Sequence, residues 1–127
     1  MLKLVRALGC LTAMALAGSA LAQVAWTPLF DGSGEDWSYD PASVQRAGAV
    51  TTVTLRVQFS TPQTIGGNSV QWGTERVALN CQAKTYVDVG LMQYNAAGTL
   101  VYQSTTPGQS QPFTAGSPGG LVAAKVC

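Results

Sequence analysis

The chain of 127 residues contains no histidine. That absence removes Ser–His and Cys–His nucleophilic catalysis and every histidine-ligated metal site. Of the three cysteines, Cys10 lies in an apolar leading stretch, which leaves Cys81 and Cys127. Two thiolates alone do not complete a structural zinc site, and these two lack the Cys-x-x-Cys spacing of a redox centre. Carboxylates gather only at Asp31, Glu35, Asp36 and Asp40. Such a run offers oxygen ligands to calcium, or an acid/base pair. It does not fit the EF-hand loop, because glycine is not at the sixth position and no bidentate Glu closes it. The plainer reading is a solvated turn in which Asp40 caps the segment that follows. Gly32, Gly34 and Gly66-Gly67 do not lead into a helix as a phosphate-cradling loop requires. No metal and no cofactor is expected.

The other side chains with chemistry to offer are charged or aromatic. Arg56, Arg76, Lys84 and Asp88 fall on outward positions of expected neighbouring strands, where cross-strand ion pairs and solubilising charge are the ordinary roles. Trp72, Tyr86, Tyr94 and Tyr102 are expected to form an aromatic ligand-binding face on the side of the sheet away from a C-terminal helix. A second small core or a dimer contact is the competing reading of the same four rings.

These residues need a scaffold. Lys3 and Arg6 precede an apolar run over residues 7–17, too short to span a bilayer, and Ala20 and Ala22 stand in the Ala-x-Ala arrangement that a signal peptidase reads. Cleavage is expected between Ala22 and Gln23. A lipoprotein anchor at Cys10 would leave too short an apolar stretch upstream of it. Residues 1–22 are therefore expected to be a cleaved signal peptide and residues 23–127 a single domain. Without Lys3 and Arg6, five bases face six acids, a net charge near −1. No cluster of Lys or Arg is present to neutralise phosphates, so nucleic acid is not an expected partner. An even pair of cysteines in an exported chain most simply forms one disulfide, Cys81–Cys127, with two free buried thiols as the alternative. Closing that loop of about 47 residues is worth roughly 4 kcal/mol in the chain-entropy model.

Along the mature chain, residues 25–30 read as an edge strand, since Pro28 cannot donate to a ladder. Residues 31–36 read as a turn, residues 37–39 as a brief strand, and residues 40–46 as a helical turn with Asp40 as N-cap and Pro41 at the first position. Residues 50–60 alternate with period two: Val53, Leu55, Val57 and Phe59 against Thr52, Thr54, Arg56 and Gln58. That pattern is a half-buried antiparallel strand. A loop is expected over residues 60–68 and a strand over residues 69–81, with Val77, Leu79 and Cys81 inward. Trp72 has the opposite parity, and a bulge at Gly73 would return it to the core. Strands follow at residues 85–94 and 99–104, joined by a hairpin at residues 95–98. Phe113 is expected to anchor a polar loop. Ser117 then caps, and Pro118 starts, a short helix to Cys127. The fold class expected is α+β: an antiparallel sheet of five or six strands with a C-terminal helix on one face.

Several features in fixed order carry a resemblance. They are Trp26, the run Tyr39-Asp40-Pro41-Ala42-Ser43-Val44, the strand into Asn80-Cys81, Gly98-Thr99-Leu100-Val101-Tyr102, Gly116-Ser117-Pro118 and the terminal Val126-Cys127. Together they resemble the surface-adhesin protein E family of Gram-negative bacteria over essentially the whole mature chain. The resemblance implies an antiparallel sheet with its last helix tied down by Cys81–Cys127. Two departures are visible. The tryptophan often found before the last helix is replaced by Gln109-Ser110-Gln111-Pro112-Phe113, and Gly119-Gly120 dilute the helix.

The function expected from residues and resemblance is that of an exported, non-enzymatic binding domain that contacts a host or surface macromolecule. A periplasmic accessory protein with an internal envelope partner is the alternative. An enzyme is disfavoured by the thin acid/base inventory. Stable membrane insertion after signal cleavage is not expected, and nothing in the sequence sets an oligomeric state.

Overall fold

A computed structural model describes residues 23–32 and 34–127; the leader expected over residues 1–22 lies outside them. Six strands follow one another as a meander, each antiparallel to the next: β1 Thr27–Gly32, β2 Glu35–Ala47, β3 Val50–Ile65, β4 Asn68–Asn80, β5 Thr85–Tyr94 and β6 Leu100–Ser104. A two-residue strand, β7 Gln111–Pro112, joins β5 on the edge that β6 leaves free. The helix α1, Pro118–Val126, ends the chain.

The alternation read over residues 50–60 is the structural centre. Val53 lies opposite Val77, and Thr51 opposite Leu79. Directly opposed residues share a face, so these side chains point together. Val122 and Val126 of α1 complete the cluster with Val53, Leu55, Val77 and Leu79, all almost wholly buried. Burial of each such side chain is worth roughly 1.5–3 kcal/mol. Leu29, Trp37, Tyr39, Val44, Tyr86 and Phe113 close its rim.

The helix is held by several independent contacts. The Ser117 hydroxyl accepts from the Gly120 N–H at 3.1 Å and Pro118 takes the first turn, as expected. Cys127 is bonded to Cys81 across a sequence separation of 46 residues, with the Cα atoms 5.7 Å apart. The Arg46 guanidinium donates to the Val126 carbonyl, one of the orphan acceptors at the helix end.

Four local expectations are corrected. Residues 40–46 are not helical but belong to β2. The Asp40 carboxylate does accept from the Ala42 N–H at 3.0 Å, yet the chain there forms a bulge between Asp40 and Gln45. Ser43 pins that bulge: its hydroxyl donates to the Asp40 carbonyl at 2.7 Å and accepts from the Thr54 N–H at 2.8 Å. A capping pattern is locally the same in a helix start and in such a turn; the neighbouring β3 ladder decides. The loop expected over residues 60–68 is instead the end of β3, a tight turn at Gly66-Gly67 and the start of β4. Both glycines have positive φ, 57° and 82°, which suits a two-residue hairpin turn, and a register shift between Gln58 and Gln63 absorbs Pro62. The turn expected over residues 31–36 is shorter, since β1 runs to Gly32 and β2 starts at Glu35. Finally, the ladders run without a shift through Gly73, so Trp72 stays on the face away from the helix.

Candidate functional site

The registers sort the side chains onto two faces. Away from α1 stand Asp31 opposite Asp36, Gln58 opposite Trp72, Trp72 opposite Tyr94, and Thr54 opposite Arg76. Trp72 and Tyr94 stack, with ring centroids 3.9 Å apart and planes 10° from parallel. Arg56 lies on the same face, its guanidinium carbon 5.3 Å from the Trp26 ring centre. It donates to Gln58 Oε1 at 3.0 Å, so the planar fork is held between an aromatic face and an amide.

These residues surround a groove. A hollow of about 460 Å³ reaches from Trp26, Asp31 and Asp36 to Arg56 and Gln58. A smaller one, about 230 Å³, continues from the same Arg56 and Gln58 to Trp72. A third hollow of about 350 Å³ lies elsewhere on the sheet beside Arg76, Gly90 and Met92. The Arg76 guanidinium is occupied there by Gln45 Oε1 and Thr52 Oγ1, both at 3.0 Å. Of the four carboxylates that gather in sequence, only Asp31 and Asp36 face each other. A hydrogen bond with Asp31, and the repulsion between the two charges, raise Asp36 above its ordinary value. Glu35 instead accepts from the Trp37 indole N–H at 2.9 Å, and Asp40 serves the bulge.

The helix-side face holds a different acidic pair. Glu75 stands between Leu55 and Leu91, and Asp88 lies opposite Val77, beyond a register shift between Arg76 and Val77. Burial pushes the Glu75 carboxyl up to about 8, helped by a hydrogen bond with Asp88 and by its charge. Asp88 Oδ1 is buried with no hydrogen-bond partner. A neutral Glu75 carboxyl beside it carries an O–H, the kind of donor that this oxygen lacks. Asp88 is thus corrected from an outward charge to an inward one. The Gly108 N–H also caps its backbone carbonyl at 2.8 Å.

The four aromatic residues expected on one face divide. Trp72 and Tyr94 stand together on the outer face. Tyr86 opposes Leu79 and lies under α1, where a Cβ on Gly119 would come within 2.7 Å of its ring. Phe113 stacks near it, centroids 6.4 Å apart. Tyr102 opposes Gln93, on the helix-side face but near the free edge, and is 46% exposed. The strand pattern missed this division because the shift in β5 reverses the parity of Leu91 relative to Val87. Trp26, Arg56 and Gln58 were not singled out as a site by the sequence. Only the outward parity of Arg56 and Gln58 was legible, and Trp26 reaches them through the fold.

The family model for surface-adhesin protein E matches residues 26–127. The chain belongs to the surface-adhesin protein E family. Its fold is similar to that of Haemophilus influenzae protein E in crystal form II, at a TM-score of 0.56 and 12% identity, covering 84% of this chain and 96% of that one. The selenomethionine form of the same protein gives a TM-score of 0.55 and 11% identity, covering 82% and 93%. No curated protein sequence matches the chain. At such identity the likeness is one of fold, and the antiparallel sheet, single helix and Cys81–Cys127 bond of this adhesin-E domain agree with it.

The two glycines of α1 have a packing reason. A Cβ on Gly119 would strike the Tyr86 ring, and one on Gly120 would lie 2.2 Å from the Thr114 carbonyl oxygen. Helix propensity is given up so that α1 can approach the sheet and its preceding turn closely.

Proposed function

We propose that this adhesin-E domain is an exported, non-enzymatic binding module that contacts a macromolecular ligand at the cell surface through the sheet face opposite α1. The observation that carries the reading is the Trp72–Tyr94 stack beside Arg56 and Trp26, an aromatic and polar surface over which, among the described residues, no strand or helix passes. Trp, Tyr and Arg are the residue types that dominate binding energy when they cluster in this way. Family membership supports adhesion as the role. The residues proposed to bind are Trp72 and Tyr94; Tyr86 and Tyr102 drop out on position.

The test is attachment of cells displaying the protein to surfaces coated with extracellular-matrix extract. Trp72→Ala and Tyr94→Ala should each reduce attachment, and Tyr102→Ala should not, with melting temperatures unchanged in Tyr102→Ala. Saturable attachment that ignores the outer-face substitutions would remove the proposed face. Protein untouched by protease added to intact cells would favour a periplasmic partner instead.

A further inference from the structure

The two hollows that meet at Arg56 and Gln58 make one groove across the strands, from Trp26 beyond β1 to Trp72 on β4. At about 4.8 Å between neighbouring strands, a groove crossing β1 to β4 is roughly 15 Å long, enough for several linked rings and not only one. Its walls are aromatic at both ends. Its floor presents groups of opposite need: Arg56 offers only donors, the Asp31 and Asp36 carboxylates acceptors, and Gln58 both.

That mixture discriminates among ligands. A polyanion would be drawn to Arg56 but repelled by the facing aspartates, and a polycation the reverse. Hydroxyl groups satisfy both, because each can donate and accept. Adjacent hydroxyls on a ring match a planar fork such as a guanidinium or carboxylate. The other face of such a ring carries C–H groups, whose slight positive charge suits the negative face of Trp26 or Trp72. Arg56 is also pre-held by Gln58 and Trp26, so little side-chain freedom is lost on binding.

We infer that this groove is an oligosaccharide site for an uncharged glycan, with Arg56, Gln58, Asp31 and Asp36 hydrogen-bonding its hydroxyls and Trp26 and Trp72 packing on its ring faces. Tyr94, stacked on Trp72, extends the aromatic surface at that end. The inference rests on the outer-face reading above and narrows it to a ligand class.

The experiment is NMR titration of the disulfide-bonded protein with a panel of neutral tetrasaccharides: cellotetraose, chitotetraose and lacto-N-tetraose. The three tryptophans give separate indole signals. At least one glycan should shift the Trp26 and Trp72 indoles saturably, while Tyr102, on the opposite face, stays in place. Trp72→Ala and Arg56→Gln should each weaken binding about tenfold, or about 1.4 kcal/mol, at unchanged melting temperature; Arg56→Lys should recover little, because it keeps the charge and loses the fork. No saturable shift with any glycan, binding that leaves both indoles unmoved, or wild-type affinity in both variants would overturn the proposal. Should attachment to matrix depend on Trp72 yet survive enzymatic removal of the matrix glycans, the glycan falls while the outer-face reading stands.

Discussion

Single residues set the energetics that the sheet must tolerate. Glu75 is the clearest. Its folded value of about 8 lies above the ordinary 4.5, so between the two the native state holds a proton that the unfolded chain has released. The stabilisation from the neutral Glu75 is fully present below about 4.5 and is lost as pH rises through about 8. Thermal melts should therefore show a falling melting temperature across that window, and Glu75→Gln, which keeps a donor for Asp88, should flatten the slope. Parallel pH profiles for the two proteins would show that the pair does not control it. Gly120 makes a second point. Ala there would gain about 1 kcal/mol of helix propensity but meets the backbone oxygen of Thr114, which cannot rotate away. Gly120→Ala should be destabilising by about 1–3 kcal/mol, read as a melting temperature several degrees lower.

Elements explain why the weak helix persists. Nine residues with two glycines would not remain helical in water alone. The Cys81–Cys127 bond closes 46 residues of chain and contributes about 4 kcal/mol by restricting the unfolded state. Reduction, or Cys127→Ser, should lower the melting temperature by well over five degrees, with helical circular dichroism lost no later than the sheet signal. A melt unchanged by reductant would mean that Val122, Val126 and the Ser117 cap suffice. Tyr86 belongs to this scale too: it bridges β5, α1 and, through a 3.0 Å hydrogen bond to Gln111, β7. Tyr86→Ala should cost about 2 kcal/mol or more by truncating a packed aromatic. Tyr102→Ala, at an exposed edge, should cost less than about 0.5 kcal/mol.

At the scale of the whole molecule, the one helix gives the sheet two unlike faces. One is a core of aliphatic side chains under α1; the other is polar and aromatic, with its cations held by Gln45, Thr52 and Gln58. Among the described residues, β1 to β6 form a meander of consecutive neighbours with short connections, which need not cross the outer face. That topology leaves the Trp26-to-Trp72 groove open. It also leaves the β1 and β6 edges unpaired on one side, with Pro28 in β1 blunting its edge.

Period-two alternation and the cysteine count were strong local signals, and they sufficed for the antiparallel sheet, its central strand, the capped last helix and the Cys81–Cys127 tie. Each depends on chemistry carried within a few residues, or on there being only one way to pair two cysteines. The segments that misled depended on partners far along the chain. Asp40-Pro41 caps a bulge because Thr54 waits across the ladder, and residues 60–65 extend because β4 is there to receive them. Face assignment failed for Tyr86 and Asp88 because the shift within β5 changes parity, and for Tyr102 because a second shift separates Tyr94–Leu100 from Gln93–Tyr102; a shift is a property of two strands in register, not of either sequence. The candidate groove is of the same kind: Trp26, Arg56 and Trp72 are separated in sequence by 30 and 16 residues, and only the folding of β1 to β4 side by side brings their side chains to one surface.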